Sequence, residues 1–184
     1  MLLKKLVRTL RSVALEDKQV LQMAMRNGLQ SIDYEKIIKM KSLRQVLPKP
    51  TSGVLIFFTD HAKPNKPIGH FCLLFRTPRT GVVFFDPLGH SLHGILNITH
   101  NRNKLLTMLN SLSSGFHENR IPYQRQSKEV QTCGRHCITR WNAATLKPKE
   151  YSSLMHLPGM SADDVVTLLT LESDLPKLLK NYTA

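Results

Sequence analysis

Acidic side chains are scarce in this sequence: 13 aspartates and glutamates face 26 lysines and arginines over 184 residues, a formal net charge of +13. The excess runs from Lys4 to Lys149, and no single basic stretch is dense enough to be a nucleic-acid motif. The charge therefore points to a polyanion such as DNA, held through phosphates without base readout, with a generally basic solvated surface as the plainer reading. Long apolar runs are absent too. The best stretches, residues 53–59 and 70–75, are strand-sized, well short of the roughly 20 residues of a membrane helix, so no membrane span is expected. Three cysteines, an odd number without a secretory signal, argue against a disulfide scaffold and leave thiol chemistry available in a reducing compartment. Repeats, low-complexity tracts and long linkers are also missing, so residues 1–184 read as one domain, with 41% hydrophobic content to build its core.

No acid precedes Glu16, which gives the N-terminus the look of a mitochondrial presequence. The spacing predicts an ordinary first helix instead. Lys4, Arg8 and Arg11 form one polar stripe opposite Leu2, Leu6, Leu10 and Val13. Residues 1–45 carry helical periodicity, broken at Asn27-Gly28, with a second helical region around Asp33 to Leu43. After the loop signal at Lys49 to Gly53 the period becomes that of strands: Val54 to Thr59, Phe71 to Arg76, Val82 to Asp86. Asp60 to Gly69 reads as a loop, Lys104 to Leu112 as a helix and Ile121 to Gln124 as a short extended piece. A helix is expected from Cys133 to Leu146, and another begins at Ser161 with a capping-box pattern and runs to about Leu171. The expected class is α+β: helices first, then a small mixed or antiparallel sheet flanked by helices.

Chemistry concentrates in three places. Thr77-Pro-Arg-Thr-Gly81 is a tight connection that makes its flanking strands a hairpin. If the turn centres near Pro78, His70 stands directly opposite Asp86, where Cβ atoms are about 4.5–5.5 Å apart and side chains share a face. A carboxylate there fixes the tautomer and orientation of the imidazole and stabilises its cation. Cys133 opens a helix whose inner face carries Cys137, Trp141 and Ala144. The dipole of that helix and a neighbouring imidazolium would bring its pKa down to roughly 3.5–7.5. Attack on a carbonyl leaves an oxyanion, which a glutamine N–H and the Cys133 backbone N–H can stabilise, each on the order of 3 kcal/mol. Gln124, Gln126 and Gln131 all lie just upstream.

Plainer readings stand beside these. Cys72 and Cys137 are expected as small core hydrophobes, and His136 as a surface or supporting residue. A zinc site built from His90, His93, Cys133 and Cys137 is the chemical competitor, but its spacing lacks the tight Cys and His pairs of structural zinc.

With these residues in place, the stretch from Gly53 to Trp141 resembles the adenovirus-type (adenain-like) maturation proteases, which share a clan with SUMO-specific proteases. Gly69-His70-Phe71 is similar to their histidine element, with phenylalanine where a tryptophan usually follows. Phe85-Asp86-Pro87-Leu88-Gly89 is similar to their acidic element, and Gln126 to Cys137 matches Gln-x6-Cys-Gly-x-x-Cys. The resemblance implies Cys133 as nucleophile, His70 as base and acid, Asp86 as the group orienting it and Gln126 as oxyanion donor, without a required cofactor. It further implies viral capsid or core precursor proteins as substrates, DNA as a possible activator, and residence in the virion and the infected cell. The alternatives are a ubiquitin-like or SUMO isopeptidase and a non-enzymatic basic nucleic-acid-binding protein.

If the charge binds DNA through roughly six to ten phosphates, affinity for a duplex oligonucleotide should fall about 10³- to 10⁵-fold between 50 and 200 mM salt. Fluorescence anisotropy across that range checks this, and a salt-insensitive signal removes the polyanion reading.

Overall fold

The computed structural model describes residues 7, 10, 17–59, 69–127 and 130–171. The expected first helix lies outside them apart from Val7 and Leu10, both helical and buried, and so does most of the expected loop from Asp60 to Gly69. Helix α1 (Asp17–Arg26) stops where Gly28 takes φ of 69°, a left-handed geometry that glycine adopts without a Cβ penalty. Helical pattern is expected to continue to residue 45. Instead Gln30–Asp33 forms strand β1, parallel to β2 (Ser52–Thr59), before two single-turn helices, α2 (Tyr34–Ile37) and α3 (Leu43–Val46). β1 is an edge strand whose residues are mostly exposed, so it shows no apolar alternation for the period to reveal.

Five strands form one mixed sheet in the order β1-β2-β3-β4-β5, with β3 (Gly69–Thr77) antiparallel to both β2 and β4 (Gly81–Phe85), and β5 (His117–Glu118) parallel to β4. The remaining helices are α4 (Leu92–Ile98), α5 (Lys104–Asn110), α6 (Cys133–Asn142), α7 (Pro148–Met155) and α8 (Ala162–Leu169). Side-chain alternation along the central strands feeds two cores. Leu55, Phe71, Leu73, Phe75, Val83 and Phe85 pack with residues of α1, α6, α7 and α8. Val54, Ile56, Phe58, Cys72, Leu74 and Phe84 pack with residues of α2 to α5 on the other face. Because both faces of β3 are covered, its sequence reads as a continuous apolar run. The fold is therefore α+β, as expected, and among the described residues no helix is long and apolar enough to cross a membrane.

The β3–β4 hairpin corrects one detail. Thr77 pairs with Gly81 and Leu73 with Phe85, so the turn centres on Arg79, closed by Gly81 at φ 67°. The register is shifted by two residues from a turn at Pro78, which sets Asp86 across from Cys72 and diagonal to His70. An even shift preserves the face of every side chain, so His70 and Asp86 still project to the same side.

Helix α6 ends at Asn142 rather than Leu146, and Pro148 opens α7 at its first turn instead of merely ending the previous helix. Helices α4 and α7 were not expected, and the extended piece at Ile121 to Gln124 joins no strand. The capping box of α8 is present: Ser161 accepts from the Asp164 amide, and the Asp164 carboxylate accepts from the Ser161 amide. Two glycines allow close approach to α6. A Cβ on Gly134 would sit 2.9 Å from Val20 of α1, and one on Gly53 would sit 2.7 Å from the Trp141 ring. A third glycine, Gly69, lies under Phe57, whose ring carbon Cζ is 1.8 Å from where a Cβ would be.

Gly69→Ala should therefore cost about 1–3 kcal/mol by overpacking. Thermal denaturation should show a drop of several degrees, and Phe57→Ala should remove most of the penalty in the double variant. Additive losses would show that the ring is not the obstacle.

Candidate active site

The chain leaves β4 at Phe85 and turns sharply at Asp86-Pro-Leu-Gly89. Gly89 adopts φ 77°, with Pro122 backbone 2.9 Å from where its Cβ would be, so this turn requires glycine. The turn folds back on its own carboxylate. Asp86 is fully buried, and its Oδ1 accepts from the Leu88 amide at 2.9 Å while Oδ2 accepts from the His90 amide at 3.1 Å. Asn119 locks the Asp86 backbone by accepting from its N–H at 2.8 Å and donating to its carbonyl at 2.6 Å. The remaining carboxylate capacity goes to two imidazoles: His70 Nε2 at 2.6 Å from Oδ1 and His90 Nδ1 at 2.8 Å from Oδ2.

His90 is a site residue that spacing suggested only as a zinc candidate. The tight four-residue turn Asp86-Pro-Leu-Gly89, with His90 directly after it, is the signal that places its ring on Asp86. His93 lies elsewhere, exposed and bonded to Asn97 along α4. Cys137 is buried under α6 with its thiol donating to the Phe71 carbonyl at 3.4 Å. The four residues of the zinc alternative are thus not gathered in one place. Among the described residues, a cluster that does offer three metal-type donors is His70, Cys72 and Asp86, whose donor atoms lie within 4.8 Å of one another.

Cys133 is the first residue of α6, half-buried, and near enough to His70 for the imidazole to lower the pKa of its thiol. With Nε2 taken by Asp86, Nδ1 is the nitrogen left for the thiol. Burial opposes the Cys133 thiolate, but His70 and the backbone N–H groups of Phe71 and Gly134 outweigh it and hold the pKa below the ordinary 9.0. Burial likewise opposes the His70 cation. The Cys72 thiolate, wherever it ionises, and hydrogen bonds with Asp86, Cys133 and Cys72 oppose burial and raise His70 well above 6.5. Burial pushes the Cys72 thiol up to about 12, so at neutral pH the anion that holds the proton on His70 is Asp86, with Cys133 as a further hydrogen-bond partner. Burial opposes ionisation of Asp86 too, but the His70 bond dominates and holds it below 3.8. The arrangement can therefore store a thiolate beside an imidazolium, with the imidazolium anchored from behind.

The glutamines divide. Gln124 is buried and donates from Nε2 to the Val130 carbonyl at 3.3 Å. Gln126 and Gln131 are exposed. The amides of Tyr123 and Gln124 both donate to the Pro87 carbonyl at 2.9 Å, so the glutamine segment hangs from the same turn that holds Asp86. His136, expected at the surface or in support, is fully buried on the Asp163 carboxylate at 3.0 Å.

No protein-family model matches the chain. A protein of Sputnik virophage named Uncharacterized protein V9 is 27% identical over 172 residues, covering 86% of this chain and 95% of that protein. Among solved structures, the ASFV pS273R protease has a TM-score of 0.49 at 13% identity, over 86% of this chain and 67% of its own. ChlaDub1 from Chlamydia trachomatis has a TM-score of 0.46 at 12% identity, over 94% of this chain and 76% of its own. HopZ1a in complex with IP6 has a TM-score of 0.42 at 12% identity, over 74% of this chain but only 44% of its own.

The shifts fix a pH window. The stability from Asp86 is present above its unfolded value near 3.8 and is lost as pH falls through its lower folded value. The stability from His70 is complete below 6.5 and is lost as pH rises through its raised folded value. Both are fully present from 3.8 to 6.5. In an NMR titration of the ring protons, His70 should titrate well above 6.5 in the wild type and move down sharply in Asp86→Ala; an unmoved His70 would show that the carboxylate does not hold its proton.

Proposed function

We propose that the protein is a cysteine endopeptidase, with residues 1–184 acting as one protease domain. The observation that carries the reading is the meeting of Asp86, His70 and Cys133, from three separate segments, in the order carboxylate, imidazole, thiol. The Cys133 thiolate attacks the scissile carbonyl, forming the S–C bond as the π electrons move to oxygen. The Cys133 backbone N–H and the side-chain amide of Gln126 receive that oxyanion. Among the three glutamines, Gln126 is exposed and seven residues ahead of Cys133, whereas the amide of Gln124 is already given to Val130. His70 then passes its proton to the leaving amine, and next takes one from the water that cleaves the thioester. Asp86 keeps the ring oriented throughout, with His90 bracing the second carboxylate oxygen.

The substrates we infer are viral capsid or core precursor proteins, cut in the virion or the infected cell, with DNA as an activating surface. The resemblance of the Gly69–Phe71, Phe85–Gly89 and Gln126–Cys137 elements to adenain-like proteases supports this, as do the virophage relative and the charge of +13.

Cys133→Ala should abolish cleavage and the labelling of the site by thiol reagents; retained cleavage sinks the assignment. Gln126→Ala should lower kcat about 10²- to 10³-fold, and Gln124→Ala or Gln131→Ala far less. A ubiquitin-like C-terminal amide cleaved in preference to viral precursors would move the protein to the isopeptidase branch. Salt-sensitive DNA binding with an inert Cys133 would leave only a nucleic-acid-binding protein.

A further inference from the structure

A second buried carboxylate, Asp163, is used by none of these steps. Asp163 lies in the first turn of α8 and is 2% exposed. Its Oδ1 accepts from the Thr132 hydroxyl at 2.5 Å and from His136 Nε2 at 3.0 Å, and its Oδ2 accepts from the Arg125 amide at 3.0 Å. These partners lie 31, 27 and 38 residues away in the chain. An ion this deep is tolerated only when donors saturate it. The three donors and the N-terminus of α8 supply that, and despite burial, bonds from His136 and Thr132 hold its pKa below 3.8.

Resting on the reading of Cys133 as nucleophile, we propose that Asp163 is the positioning residue that keeps Cys133 in register with its oxyanion segment. Thr132 directly precedes Cys133 and is the N-cap of α6. A threonine there ordinarily folds its hydroxyl back onto the second or third amide of the helix. Here the hydroxyl makes no cap bond and goes to Asp163, while the Gly134 N–H reaches the Cys133 sulfur. Asp163 thus keeps the helix terminus open to the thiolate. His136, three residues after Cys133, fixes the first turn of α6 to the same oxygen. Arg125 lies between Gln124 and Gln126, so Oδ2 pins the glutamine segment from one side while the Pro87 carbonyl pins it from the other. One carboxylate therefore ties together the nucleophile, the helix that carries it and the segment that carries the oxyanion donor.

Asparagine at this position has one acceptor oxygen for two sets of donors, so it sets an N–H against an N–H or a hydroxyl on one side. Thr132 is then free to cap α6 and draw Cys133 off His70, and a misplacement of the order of 1 Å costs about 10²-fold in such sites.

The test is the pH profile of Cys133 alkylation by iodoacetamide in the full chain, read by mass spectrometry, with thermal melts in parallel. For Asp163→Asn the midpoint should rise toward the ordinary thiol range and the rate at pH 7 should fall about 10- to 100-fold. A carboxylate that merely braced the fold would lower Tm and leave the profile of the folded protein unmoved, which overturns the proposal. Should Asp163→Asn not fold, Thr132→Val removes a single bond at constant volume and should raise the midpoint. Thr132→Ser keeps the hydroxyl and should restore the wild-type profile. An unmoved midpoint in Thr132→Val overturns the proposal equally. A wild-type midpoint already in the ordinary thiol range overturns the nucleophile reading, and this proposal with it, before any variant is compared.

Discussion

A carboxylate with no exposed surface has to be surrounded by donors, and the way Asp86 meets that requirement organises the end of the sheet. Its oxygens take two backbone amides and two imidazoles, and its own backbone is held by Asn119, the residue just after β5. Saturating the charge requires the chain to turn immediately after β4, and the turn in turn exposes the Pro87 carbonyl that collects the glutamine segment. The orientation of the imidazole and the path of residues 123–124 both follow from one desolvated charge. Removing a single partner of such a group costs more than the pair contributes, because the remainder stays buried and unpaired.

The pairing of His70 with Asp86 in the candidate site was legible because it depends on parity and order, which survive local error. The hairpin turn lies one residue beyond Pro78, yet the resulting two-residue slip leaves His70 and Asp86 on one face; a one-residue slip would have parted them. Cys133 was readable as a helix start because the glycine after it and the apolar positions at Cys137 and Trp141 mark one face of α6. What escaped has physical causes. β1 is an edge strand with little apolar content, and α4 and α7 are short helices whose periods barely repeat. His90 and Asp163 act through contacts made only by the folded chain, the one across a tight turn and the other across nearly 40 residues. No pattern along a sequence encodes a hub whose partners lie 27 to 38 residues away.

The two carboxylates act on different parts of the same assembly. Asp86 orients the ring, from the end of the sheet; Asp163 anchors the helix and loop, from the first turn of α8. Between them, the glutamine segment bonds to the Pro87 carbonyl in the Asp86 turn and to the Asp163 carboxylate. Its geometry is therefore tied to the sheet and to the helical layer at once, and sliding one layer over the other would shift residues 123–125 relative to Cys133.

Trp141 is the sole tryptophan of the chain. It sits on the helix that begins with Cys133, stacks edge-on to Phe75, covers Gly53 and donates from its indole to the Asn27 carbonyl at 2.7 Å. Its fluorescence is therefore a built-in gauge of whether α6 is seated on the sheet. Emission wavelength and quenching report the docking of the helix that carries Cys133 without a label, and separate an undocked helix from a docked one whose thiol has merely lost its partner.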